Sequence, residues 1–238
     1  MRHADFVAAI GSQCDSLREA ALAAGPDADV PTCPRWTVSR LVGHLARVQS
    51  WAGAALADPT GEDVKPGRPP EDWDELLAWW DRQRATLLER LADPGAPAWL
   101  PWRRFPQVAA SWARRQAHEA AIHRLDAEHA RGEVPSLLFE PEFAADGIDE
   151  LVAWMAPART DWSTATASGT VVVHAVDAGR VWSVHLEPGA EPVIEPDGLE
   201  GDAMIAGTAD AVYRRVWGRP SAAKVTGDTA LLEPLAAP

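Results

Sequence analysis

SWARRQAHEAAIHRLDAEHAR, residues Ser111 to Arg131, decides how this chain is read. Neither proline nor glycine interrupts it, and its alanines, arginines and glutamates favour a helix throughout. Residues i and i+4 of an α-helix lie on one face about one turn apart. Glu119 and His123 therefore present a carboxylate and an imidazole to a shared point, which is how a helical protein offers two ligands to one metal ion. His118 and His123 are five apart, roughly 140° around a helix of 3.6 residues per turn, so they cannot both face one ion. The segment is not a two-histidine metal motif. It is half of a site, and a third ligand has to come from elsewhere.

A second helix supplies a partner. It follows PTCPRW, with Thr37 as N-cap and Val38, Leu41, Leu45 and Val48 at helical spacing. His44 has these apolar neighbours, so its imidazole points toward the bundle interior. A lone histidine there is most often a hydrogen-bonded core residue. A carboxylate and an imidazole offered independently by another helix change that balance, because bundles assemble metal sites from facing helices. A buried, unpaired Glu119 is also expensive, and a dication offsets the cost. His44, Glu119 and His123 make a two-nitrogen, one-oxygen set that suits zinc with an open fourth position. The bland alternative for Glu119 is a surface pair with Arg115 or His123, worth a few tenths of a kcal/mol. Asp126 is either an acceptor for the His123 imidazole or a solvated charge. His118 and His129 face elsewhere, as surface or packing residues. Cys14 and Cys33 lack a partner nearby in sequence and read as inert thiols.

Composition narrows the classes. The net charge of -13 argues against nucleic acid or an anionic membrane as partner, since both reward positive charge. No run of about 18 apolar residues could span a bilayer. The N-terminal MRHADFVAAIGSQCDSLREAAL carries charges through its apolar positions, as an amphipathic helix does and a signal peptide does not. Two cysteines make no disulfide framework, so a reduced, cytoplasmic protein is expected. There is no Walker loop, no GxGxxG and no GxSxG.

Four long helical patterns, about 4–24, 38–57, 71–92 and 107–131, fill the first part of the chain, and a further helical stretch covers about 142–155. Beyond Ser168 the character changes. GTVVVHAV and RVWSVHLEP alternate around Asp177-Ala178-Gly179 and read as a β-hairpin. PVIEP, DAMIAG and AAKVTGD read as further strands, TADAVYRRVWG as a helix and TALLEPL as a last helical turn. Helices first and strands afterwards predict an α+β fold, with a helical metal-binding bundle over 1–157 and a small α+β domain over 168–238.

WTVSRLVGHL (Trp36 to Leu45), HEAAIHRLDAE (His118 to Glu128) and the tail VWGRP (Val216 to Pro220) with VTGD (Val225 to Asp228) resemble the mycothiol-dependent maleylpyruvate isomerases and their actinobacterial relatives. These motifs occur in that family's order across most of the chain. The resemblance implies a DinB-like four-helix bundle followed by a small C-terminal α+β domain. It implies that His44, Glu119 and His123 hold zinc or another divalent metal, and that Arg219 is catalytic. Mycothiol would serve as thiol cofactor, and a small electrophile such as maleylpyruvate as substrate of a cis–trans isomerisation. A related thiol S-transferase fits the same layout. Two other classes remain open: a zinc-dependent hydrolase using metal-bound water, and a non-enzymatic small-ligand-binding protein. A monomer or small homo-oligomer is expected.

Overall fold

The first three helices of the chain end or begin where the local chemistry dictates. α1 (His3–Ala24) stops at Gly25, whose φ of 87° an L side chain rarely adopts. α2 (Val38–Ala57) starts where the Thr37 side chain accepts a hydrogen bond from the Arg40 amide. α3 (Trp73–Arg90) starts in the same way, with Asp72 accepting from Glu75. α4 (Ala109–Arg131) ends on Gly132 in the left-handed conformation. The computed structural model describes residues 1–132, 138–159 and 161–237.

These four helices form the first of two compact units, Met1–Val134. α4 packs most extensively on α1 and also meets α2, while α2 leans on α3. Alanines 109, 113, 117, 120, 121 and 127 of α4 are all fully buried. Side chains this small let the neighbouring backbones approach, so α4 runs through the middle of the bundle with polar residues pulled inside it. Ile10, Leu17, Leu41, Leu45, Leu87 and Leu125 fill the space between. One buried polar link crosses this core. The Gln49 side chain accepts from the Trp80 indole at 2.9 Å and donates to Cys14 Sγ at 3.1 Å, so its amide is satisfied on both sides.

The second unit, Pro135–Pro238, is built on a mixed five-stranded sheet of order β3-β2-β1-β4-β5. β1 (Gly169–Ala175) and β2 (Arg180–Leu186) form the expected hairpin, with Gly179 at φ 60° in its turn. β3 (Val193–Glu195) is a short edge strand beside β2. β4 (Ala203–Gly207) runs parallel to β1, with Val171 opposite Ala203, and β5 (Lys224–Gly227) closes the far edge antiparallel to β4. The chain is thus an α+β protein: a helical bundle, then a sheet with helices.

The division between the units differs from the expected one. The stretch read as the end of a 1–157 bundle becomes α5 (Pro141–Asp149), a π-helical turn over Glu150–Met155 and α6 (Ala156–Arg159). α5 packs on α7 (Ala209–Val216), the helix between β4 and β5. The Trp217 indole donates to the Gly147 carbonyl at 3.1 Å, and Asp210 accepts the Leu138 and Phe139 amides. The apolar face of 141–155 therefore completes the second core. Among the described residues no helix is long and apolar enough to cross a membrane.

Candidate metal centre

α2 and α4 bring His44, Glu119 and His123 together inside the first unit. Glu119 Oε1 lies 3.0 Å from His44 Nε2 and 3.4 Å from His123 Nε2. The three atoms are all within 4.8 Å of one another. Zinc bonds of about 2.0–2.1 Å at tetrahedral angles put neighbouring ligand atoms about 3.3 Å apart, and the two separations from Glu119 Oε1 lie close to that spacing. The side chains of Glu119 and His123 are 17% and 10% exposed, and His44 is 34% exposed, so the cluster opens on the His44 side.

Each donor is held by a neighbour. Arg115, one turn before Glu119 and itself buried, donates from Nη2 to Glu119 Oε2 at 2.9 Å, leaving Oε1 for the two imidazoles. The surface ion pair considered for Glu119 is thus a buried one, and it orients the carboxylate. His123 Nδ1 meets Asp126 Oδ2 at 2.9 Å, and Asp126 is fully buried. With Nδ1 turned to that carboxylate, Nε2 is the nitrogen that faces the cluster, where it meets Glu119 Oε1. Asp126 in turn accepts from Thr32 Oγ1 at 2.5 Å and Cys33 Sγ at 3.4 Å. Trp36 lies against both imidazoles, 4.9 Å from the His44 ring and stacked 6.0 Å from that of His123.

The loop between α1 and α2 delivers these last three groups. The Val30 amide donates to Trp36 O, Cys33 to Val30 O and Trp36 to Cys33 O, and an isolated bridge joins Asp29 to Thr37. Arg35 takes a positive φ of 72° between Cys33 and Trp36. Cys33 is therefore not the partnerless thiol expected: its sulfur, with His123 and Asp126, forms a second potential ligand group. Nothing local in PTCPRW signals this, because Asp126 lies more than 90 residues away. Cys14 matches expectation. It is fully buried, and burial pushes its thiol up to about 11.

The electrostatics are those of a cation trap. Burial works against charge on His123, yet its hydrogen bonds to Asp126 and Glu119 push its pKa up to about 9. Burial likewise opposes charge on Glu119, and hydrogen bonds from His123 and His44 outweigh it, holding the carboxyl well below the usual range. His118 is excluded from the cluster, as helical geometry required. It is fully buried on the other side of α4, with its ring edge-on to Phe6 at 6.0 Å. Arg219 belongs to the second unit, where its Nη1 donates to the Trp217 carbonyl at 2.7 Å and its amide to Arg214 O.

Comparison with known proteins agrees with this layout. Residues 7–128 match the mycothiol maleylpyruvate isomerase N-terminal domain, and residues 142–234 match the C-terminal domain of the same family. The chain belongs to the mycothiol-dependent maleylpyruvate isomerase family. The crystal structure of a histidine-to-alanine mutant of the mycothiol-dependent maleylpyruvate isomerase superposes with a TM-score of 0.66 at 16% identity. That alignment covers 96% of this chain and 94% of the other, so the two share the α+β fold. No curated protein matches the sequence significantly.

Proposed function

We propose that the chain is a metal-dependent, mycothiol-using enzyme that isomerises the cis double bond of maleylpyruvate or a closely related electrophile, with thiol S-transfer as the neighbouring chemistry. One observation carries this reading: His44 Nε2, Glu119 Oε1 and His123 Nε2 converge at the spacing of a three-ligand divalent site. The donor set fits zinc, with two neutral nitrogens, one carboxylate oxygen and room for a fourth ligand on the open His44 side. When bound, a divalent cation supplies Lewis acidity that favours thiolate over thiol at neutral pH.

The chain's own residues prepare that chemistry. Arg115 fixes the Glu119 carboxylate, and Asp126 fixes the ring orientation and tautomer of His123. Trp36 covers one side of the imidazole pair and limits water there. The mycothiol thiolate adds to the cis double bond, the new single bond rotates, and elimination returns the trans product and the thiol. Addition places negative charge on the carbonyl oxygen conjugated with that bond. Arg219 is the residue we assign to a substrate carboxylate, which a guanidinium can hold bidentately.

The test is elemental analysis of purified protein together with isomerase assays with and without mycothiol. One divalent ion per chain and turnover that requires the thiol are expected. Turnover without any thiol would favour water as the nucleophile and remove the isomerase reading. Absence of stoichiometric metal, with His44→Ala as stable as the parent, would remove the enzyme reading altogether.

A further inference from the structure

His44 is the open side of the cluster, and the space it opens onto has its own chemistry. A cleft of about 510 Å³ lies along α2, with Trp36, Arg40, His44 and Arg47 on one wall and Pro69 and Leu76 among the residues facing them. Arg40 stands four residues before His44 and Arg47 three after it, so all three share one face of the helix. The two arginines are rooted roughly 10 Å apart along the helix axis, with the imidazole between them. Gly43 lies on the same stretch of α2, opposite Leu76 and Pro69. A Cβ there would meet only Leu76 and Pro69, each at 3.9 Å across the gap.

What surrounds these two arginines matters as much as their position. The protein carries 35 acidic against 22 basic residues, and several of its guanidinium groups pair with a carboxylate. Arg2, Arg18, Arg84 and Arg115 each do so within 4 Å. Among the described residues neither Arg40 nor Arg47 has a carboxylate partner. Arg40 lies instead over the Trp36 ring at 5.5 Å, a stacking that holds the guanidinium plane without neutralising it. Glu71, the acid on the cleft's rim, is turned to Arg68 at 3.8 Å. Two cations without a carboxylate partner beside a shallow depression give it positive charge that the rest of this acidic protein lacks, which favours an anionic ligand there.

Resting on the reading of the His44 cluster as the reaction centre, we infer that Arg40 and Arg47 form the anion-recognition edge of this cleft. They hold a carboxylate of the electrophile while its double bond reaches past His44. Arg47 is the principal contact, because Arg40 divides its interactions between the anion and Trp36. One carboxylate of a ligand such as the seven-carbon maleylpyruvate sits between the two guanidinium groups, and the remainder of the molecule extends past His44. The two arginines therefore favour anionic over uncharged electrophiles, a specificity separate from the metal-ligand cluster.

Succinate, a dicarboxylate without a double bond to react, is the probe. Calorimetric titration of the full-length protein is expected to show succinate binding that weakens at least tenfold in Arg47→Ala, less in Arg40→Ala, and recovers in part in Arg47→Lys. The same titration on metal-stripped protein and on Glu119→Gln is expected to give unchanged affinity, since the arginines are intact there. In the maleylpyruvate assay Arg47→Ala is expected to raise KM tenfold or more with kcat reduced less than threefold. Failure of the enzymatic reading appears as absent turnover with arginine-dependent succinate binding retained, which leaves the anion site standing. Three results would overturn the inference: no succinate binding by the parent protein, binding unchanged in the folded Arg40→Ala/Arg47→Ala double variant, or binding that disappears when the metal is removed. The last would put the anion on the metal and not on the arginines.

Discussion

Two helices of this molecule carry a buried carboxylate–guanidinium pair at i,i+4 spacing, and the two pairs do different things. On α4, Arg115 holds one oxygen of Glu119 and leaves the other facing two imidazoles. On α7, Asp210 is closed on every side. It accepts from Arg214 and from the Leu138 and Phe139 amides, at 3.0–3.1 Å from its Oδ1. Its second oxygen sits 2.8 Å from Arg214 Nε. The first carboxylate turns its other oxygen to two imidazole nitrogens, groups that could join it in holding a cation. The second has spent its capacity on tying residues 138–139 to α7. A buried ion pair therefore says little about function until the direction of the remaining lone pairs is known.

The largest test of that contrast is Glu119→Gln, which keeps an acceptor for Arg115 but removes the charge. Mycothiol-dependent isomerisation is expected to fall at least ~10³-fold, about 4 kcal/mol in the barrier; the thermal midpoint of metal-free protein should also fall, because buried Arg115 loses its counter-charge. A variant with near-normal turnover would mean that the two pairs are alike after all. On the other helix, Asp210→Ala should act on stability. Stranding Arg214 and two amides costs about 3 kcal/mol, read by denaturant unfolding, with metal content unchanged. Loss of metal in that variant would break the comparison from the opposite side.

A finer probe is Asp126→Ala, which leaves all three candidate donors in place but releases His123 Nδ1. Metal affinity in a chelator competition should drop roughly 10–100-fold, and Asp126→Asn, which can still accept from Nδ1, should drop less. The smallest effect concerns Cys14. Its folded pKa, about 11, lies above the ordinary thiol value of 9.0, so the folded state keeps the proton that the unfolded state loses. The stability this contributes is complete below pH 9 and is lost as pH rises toward 11, by at most about 1.4 kcal/mol per pH unit. Unfolding curves of the parent and Cys14→Ala across that interval should differ in slope; parallel curves would show that the thiol ionises equally in both states.

The meeting of His44, Glu119 and His123 was legible in the sequence because it is made of local geometry repeated on two helices. The i,i+4 spacing paired Glu119 with His123 and excluded His118, and the apolar neighbours of His44 turned it inward. The residues that orient those ligands were not legible. Thr32 and Cys33 reach Asp126 from a loop, and no periodicity announces a contact across more than 90 positions. The same physics explains the displaced division between the units. An amphipathic stretch such as 141–155 shows that it has an apolar face but not which core will take it, and α7 begins more than 50 residues later. The strands were readable from alternation and turn residues, whereas the parallel pairing of β1 with β4 depends on where the chain returns after β3.

The sheet's unequal strands bear on how the protein behaves when crowded. β1 and β2, with seven residues each, lie inside the sheet, whereas the borders fall to β3 with three and β5 with four. A border so short offers few unpaired amides and carbonyls to a second chain, and Lys224 on β5 and Glu195 on β3 add charge where a foreign strand would have to dock. Protection against edge-to-edge aggregation is thus built into the strand lengths.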